Sequence, residues 1–360
     1  MEKENHISSF LKRKDIEIST KRYAQDALSA MGLGLFSSLL IGLILKTIGQ
    51  QLCNLPYFTE SHQLISFLIL VGGTAMKMMG PAIGGAVAYS LKAPPLVLFS
   101  SIIVGQMGAD FTGFGIKIAG GPAGAFVAVL LAVEFGKVVS KETKLDIIVT
   151  PAVTLIIGGI TAKLIGPLVG LLMIKLGQII ILACELQPFW FGIFVSVIVG
   201  LVLTAPISSA ALCIMMDLSG LAAGAATAGC CAQMIGFAVI SFKENGIGGL
   251  LAQGLGTSML QVPNIIKNPM ILLPPTLAAA ITGPISTCLL HMTNNPAGSG
   301  MGTSGFVGQI MTFTVMGFTT EILLKVLFLH FLLPGILSCI FYSIMKKKNL
   351  INKGDMKLEV

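Results

Sequence analysis

The densest set of polar groups in this 360-residue chain is the stretch HMTNNPAGSGMGTSG, from His291 to Gly305. An imidazole, several hydroxyls and two amides stand together there between two apolar runs. Asn294 and Asn295 each offer two N–H donors and a carbonyl acceptor. Gly298, Gly300, Gly302 and Gly305, with Gly308 just beyond, let a ligand approach the backbone closely. That inventory suits sugar hydroxyls, which donate and accept at every position. A water-exposed turn is the plainer alternative. The glycines form no dinucleotide fingerprint, because no strand precedes them.

Further along, Thr320 and Glu321 lie in GFTTEILLK. An ionisable side chain inside an apolar run is costly and usually faces a partner or a cavity. Lys325 follows Glu321 by one helical turn, so an ion pair along the helix competes with a role as acceptor for ligand hydroxyls. Gln106 and Asp110 are one turn apart in GQMGADFTGFG, where they line a pathway or cap the end of a span. Gln233 is the counterpart of Gln106 if the chain is duplicated. Glu134, Lys137, Lys141, Glu142, Lys144 and Asp146 read as a solvated mixed-charge loop, and His330 as a solitary buried histidine. No phosphate-binding loop, no H-E-x-x-H and no cluster of cysteine and histidine with metal spacing occurs. No resident cofactor is expected, and any energy must come from an ion gradient or a partner protein.

The elements that position these residues are membrane helices. Hydrophobic residues make up 54% of the chain and charged ones 11%, against about 25% charged in a soluble domain. This excludes a disordered chain, a nucleic-acid binder and a secreted disulfide scaffold. Nearly half of the charges fall in two short ends, 1–27 and 346–360, and both ends are basic. The positive-inside rule places both in the cytoplasm, as an N-terminal and a C-terminal tail, which requires an even number of crossings. Cys53, Cys184, Cys213, Cys230, Cys231, Cys288 and Cys339 read as reduced residues of an apolar interior.

Apolar runs suggest spans near 28–50, 63–90, 95–111, 119–139, 147–165, 166–184, 189–216, 219–241, 247–262, 270–290, 305–320 and 322–345. Of these, 95–111, 247–262 and 305–320 are candidates for re-entrant or broken helices. The expectation is an all-α integral membrane protein with about ten transmembrane helices. Gly80-Pro81, Pro94-Pro95, Gly121-Pro122, Ala205-Pro206, Gly283-Pro284 and Asn295-Pro296 interrupt the runs. In lipid, such breaks persist only inside protein or beside a wet cavity, the habit of transporters. A weak repeat pairs GLILKTIGQ (42–50) with GLLMIKLGQ (170–178) and VGQMGADF (104–111) with CAQMIGFA (231–238). It implies duplicated halves at about 30–165 and 156–290 within a domain of residues 28–345, with the substrate site where the halves meet.

The order of MGPAIGGAVA, GQMGADFTGFG, NPMILLPPTLAAAITGP, TNNPAGSGMGTSG and GFTTE resembles the membrane (IIC) subunits of the bacterial phosphoenolpyruvate-dependent sugar phosphotransferase system. Within that group it is similar to the stand-alone branch once labelled perfringolysin O regulators. The resemblance implies a permease subunit that binds a sugar and presents it to a separate IIB protein for phosphorylation, with IIA upstream. It further implies a homodimer in the bacterial plasma membrane and a sugar-binding role for His291 and Glu321. A membrane sensor that keeps the fold, and an ion-coupled secondary transporter, are the alternatives.

Overall fold

The computed structural model describes residues 9–53, 63–113, 118–205 and 208–358. They are helical almost throughout. Among the described residues there is no strand, and Gly220 and Asn294 form an isolated antiparallel bridge. A chain this apolar has little water to satisfy its backbone, so its N–H and C=O groups bond within their own segments. The helices are α1 Lys21–Cys53, α2 Gln63–Lys77, α3 Met79–Ser90, α4 Pro95–Asp110, α5 Gly121–Val139, α6 Asp146–Leu164 and α7 Gly166–Leu186. They continue as α8 Pro188–Thr204, α9 Ser209–Met215, α10 Gly220–Ile240, α11 Phe242–Leu251, α12 Pro269–Leu289, α13 Ser304–Met316 and α14 Thr320–Lys347. Seven are long and apolar enough to cross a membrane. The pair α2 and α3, bent by 55°, makes up to eight if counted as one span.

Two expectations need correction. The run 189–216 is not one helix, because α8 stops at Thr204 and α9 starts at Ser209. Ser208 caps the second helix, its Oγ accepting the Ala211 N–H at 3.2 Å. Pro206, the expected break, lies outside the described residues, as do Phe114 and Gly115 of GQMGADFTGFG. The mixed-charge loop is also shorter than expected. Glu134 and Lys137 belong to α5, and Lys137 is only 1% exposed.

The chain divides into two compact units, Met1–Ile174 and Lys175–Val360. In the first, glycine brings helix backbones together. A methyl group on Gly84 of α3 would lie 2.2 Å from the Ser101 carbonyl oxygen of α4. Only hydrogen fits, and this close approach is how membrane helices associate without a hydrophobic drive. The N-terminal segment folds against the turn after α5. Glu142 takes ion pairs from Arg13 at 2.8 Å and Lys14 at 2.6 Å, and Arg22 pairs with Asp15 at 2.8 Å. The buried Lys137 Nζ donates to the Asp15 carbonyl at 3.1 Å and pairs with Glu134 at 3.6 Å. The hydrogen bond from Arg22 holds the Asp15 carboxyl below its usual range, and that from Lys14 does the same for Glu142.

In the second unit α10 is the central post. Its side chains are almost all Ala, Gly, Thr and Cys along the first three turns, so neighbours pack against its backbone. Ser196 of α8 donates to the Ala279 carbonyl of α12 at 2.6 Å beside it. Past α14 the chain turns back as a strap. Ile351 and Met356 are buried in a cluster with Phe237, Ile240 and Ile271. Asn245 and Gln261 donate to the Met356 carbonyl at 2.9 and 3.0 Å, and Asn264 donates to the Lys357 carbonyl at 3.0 Å.

Candidate substrate site

The HMTNNPAGSGMGTSG stretch enters from α12, whose end unwinds into a π-helical turn, Ile285–Leu289. His291 then takes a left-handed backbone, φ 47°, and is exposed. At the far end Phe306 is also left-handed, φ 58°. Both conformations are uncommon for residues with a side chain and persist where surroundings enforce them. Between them the chain is mostly non-helical, and Asn294 and Ala297 to Thr303 are buried.

The segment lies along one face of α10. A methyl on Gly224 would sit 1.9 Å from the Met292 carbonyl oxygen, so that position admits glycine alone. Gly302 has φ +54°, and a methyl there would lie 2.8 Å from Cys230. Asn294 holds the path. Its Nδ2 lies 2.8 Å from Thr227 Oγ1, 3.0 Å from the Gly308 carbonyl and 3.1 Å from Thr312 Oγ1. Its Oδ1 accepts the Asn295 N–H at 2.8 Å, and its backbone forms the bridge to Gly220. Other carbonyls of the segment are met by hydroxyls, as Ser209 Oγ donates to Gly300 at 2.6 Å. Buried polar backbone is thus satisfied without a helix.

The expected site residues fall into distinct roles. Asn294 is 1% exposed and its amide is committed to the scaffold. Asn295 caps the short helical turn Pro296–Ser299, its Oδ1 accepting the Gly298 N–H at 3.0 Å, and it stays half-buried. Thr320 and Glu321 begin α14 and are exposed. Glu321 pairs with Lys325 at 2.7 Å, the local ion pair that its spacing allows. Met292 and Ile322 share one apolar cluster, which brings the start of the loop to the start of α14. Gln233 is buried apart from them, donating to Thr276 Oγ1 at 3.0 Å. Gln106 and Asp110 belong to the first unit, where Gln106 donates to the Asp110 carboxylate.

Thr227, Thr312 and Gln309 were not anticipated. Gln309 Nε2 lies 3.2 Å from His330 Nδ1 in a fully buried pair, so His330 is buried but not solitary. A polar residue amid apolar text was the only signal for each. Two clefts open elsewhere, one of about 390 Å³ lined by Arg13, Lys92 and Lys141, the other of about 570 Å³ at Asn264, Asn268 and the strap. Neither includes a residue of the loop.

Residues 25–358 match the family described as "Phosphotransferase system, EIIC". The "PTS system sucrose-specific EIIBC component" of Salmonella typhimurium is similar, 36% identical over 117 residues. That match covers 30% of this chain and 25% of that protein, so the chain spans about a quarter of the relative's length. With nearly all of its length in register with one family, and with a multi-span helical fold built around a buried polar loop, the chain belongs to the phosphotransferase system EIIC family of membrane proteins.

Proposed function

We propose that the protein is a sugar-translocating IIC permease subunit. It binds a sugar and presents it on the cytoplasmic side to a separate IIB protein, itself supplied by IIA, for phosphorylation. The observation that carries this is the mostly non-helical segment between α12 and α13, clamped by Asn294 and flanked by exposed polar groups. Backbone of this kind survives among membrane helices where it lines a cavity or is buried by protein, and discontinuous helices are where carriers bind substrate. His291, Asn295, Thr320 and Glu321 supply the hydrogen bonds to sugar hydroxyls, Glu321 exchanging Lys325 for the ligand. Asn294 positions them. Gln106, Asp110 and Gln233 serve the pathway.

The same reading gives about ten crossings, with the bent pair as one span and α4 and α8 as two more. These two have 16 and 17 residues, or roughly 25 Å of helix, a little under the bilayer core. Ten is even, which keeps both termini cytoplasmic, and the sequence repeat then relates 30–165 to 156–290 in each subunit of a homodimer. The test is binding of a panel of sugars to the purified protein by calorimetry. One sugar should bind, and Glu321→Ala or His291→Ala should weaken it roughly tenfold, the worth of one charge-assisted hydrogen bond. Unchanged affinity in both variants would contradict the site.

A further inference from the structure

The cleft of about 390 Å³ in the first unit has no part in the sugar site. Five cations line it, Arg13, Lys14, Lys92, Lys137 and Lys141, against two carboxylates, Asp15 and Glu142. Three separate segments supply them: the N-terminal segment, the turn after α3 and the end of α5 with the turn that follows. Two of the cations are built in rather than scattered on the surface, the Lys137 and Lys14 side chains being 1% and 8% exposed. Lys14 is spent on Glu142 and the Ser140 carbonyl, and Lys137 on Glu134 and the Asp15 carbonyl. Asp15 is further taken up by Arg22, and Arg13 by Glu142.

Lys92 and Lys141 are different. Both are exposed, and among the described residues neither side chain has an ion pair or hydrogen bond. Both also hold a left-handed backbone, φ 56° and 60°, at turn positions where glycine or asparagine would be easier. Two ammonium groups are therefore held at the mouth of an already cationic cleft without a direct ion pair, Asp15 and Asp146 acting on them only at longer range. Exposed apolar side chains flank the mouth: Tyr89 before Lys92, and Leu145, Ile147 and Ile148 after Lys141. Tyrosine and aliphatic groups beside lysine mark the level of lipid headgroups.

We infer that this cleft binds a phosphate ester, the headgroup phosphate of an anionic phospholipid, with Lys92 and Lys141 as its principal ligands above Lys14 and Lys137. Bound lipid would bridge the N-terminal segment to the turn after α5 and hold both at the membrane surface. A soluble phosphate presents the same chemistry, and the two sources separate by experiment.

The full-length protein is placed in phosphatidylcholine nanodiscs, and retained phosphatidylglycerol is measured by native mass spectrometry during titration. The comparison is wild type, the double variant Lys92→Gln/Lys141→Gln, and a charge-matched control, Lys346→Gln/Lys347→Gln. The double variant should bind phosphatidylglycerol about tenfold more weakly, given the worth of a lysine near an anionic surface, while the control stays within about twofold. In the same discs without phosphatidylglycerol, millimolar inorganic phosphate should leave the melting temperature of the wild type unchanged. A phosphate-dependent rise lost in the double variant would keep the site but assign it to a soluble phosphate, overturning the lipid assignment. Equal phosphatidylglycerol binding in all three proteins, or an equal loss in the control, would overturn the site.

Discussion

Asn294 makes more contacts to the scaffold than any ligand-binding role requires, and that fixes what its loss should do. Asn294→Ala strips partners from Thr227, Thr312 and the Gly308 carbonyl, all buried. The Thr227 and Thr312 hydroxyls keep their own donated bonds, to the Ala223 and Gly308 carbonyls, so losing the amide should cost about 1–3 kcal/mol, read from denaturation in detergent micelles. A cost under about 0.5 kcal/mol would mean the loop does not need its clamp. Asn294 stood out in the sequence because an amide pair beside proline and glycine is unusual between apolar runs. Its employment did not, because Thr227 is 67 residues away and nothing local marks it as the partner. Glu321 and Lys325 were the opposite case: their helical spacing offered an ion pair as one of two readings, and that pair forms.

Asp15 and Glu142 give a pH dependence at the same scale. Each carboxyl is held below its ordinary range by a cation it meets only in the folded state, Arg22 and Lys14 respectively. A depressed folded value means stability that is complete above the ordinary carboxylate pKa, about 4, and lost as pH falls through the folded value. The N-terminal segment should therefore stay docked from pH 7 to 5 and release below about 4. Spin-label distances between that segment and the turn after α5 would check this. Release already at pH 6 would contradict it.

At the scale of elements, most spans were legible because a bilayer core demands a long apolar run and the sequence has little else. The exceptions have physical causes. The end of α8 is set by Ser208 capping α9, a weak mark inside a continuous apolar stretch. Glu134 and Lys137 looked like loop residues because they are charged, yet a buried pair with a backbone partner 122 residues away lets them stay in α5. The C-terminal strap was legible only as a basic tail. Deleting residues 349–360 should lower stability by about 3–5 kcal/mol, since Ile351 and Met356 each bury a large side chain and the amides of Asn245, Gln261 and Asn264 lose their acceptors. Chemical denaturation of the truncated protein measures it, and an unchanged midpoint would show that the strap is dispensable.

For the whole molecule, glycine does two jobs. In the first unit Gly84 lets two helix backbones touch, and in the second Gly224 lets a non-helical segment lie on α10. Gly224→Ala should displace the loop through its clash with the Met292 carbonyl, lowering both stability and sugar affinity while α10 stays helical. Circular dichroism with sugar binding would test it, and full affinity with an intact fold would exclude close packing as the loop's support.

The central claim is capture of a sugar by phosphorylation as it crosses. The most direct measurement is the chemical state of a labelled sugar inside sealed vesicles carrying only this protein, with and without a phosphorylated IIB protein on the cytoplasmic face. Accumulation as sugar phosphate, dependent on that partner and abolished by Glu321→Ala, is the expected result. Accumulation of unmodified sugar without the partner, collapsed by an ionophore, or binding with no uptake at all, would contradict it.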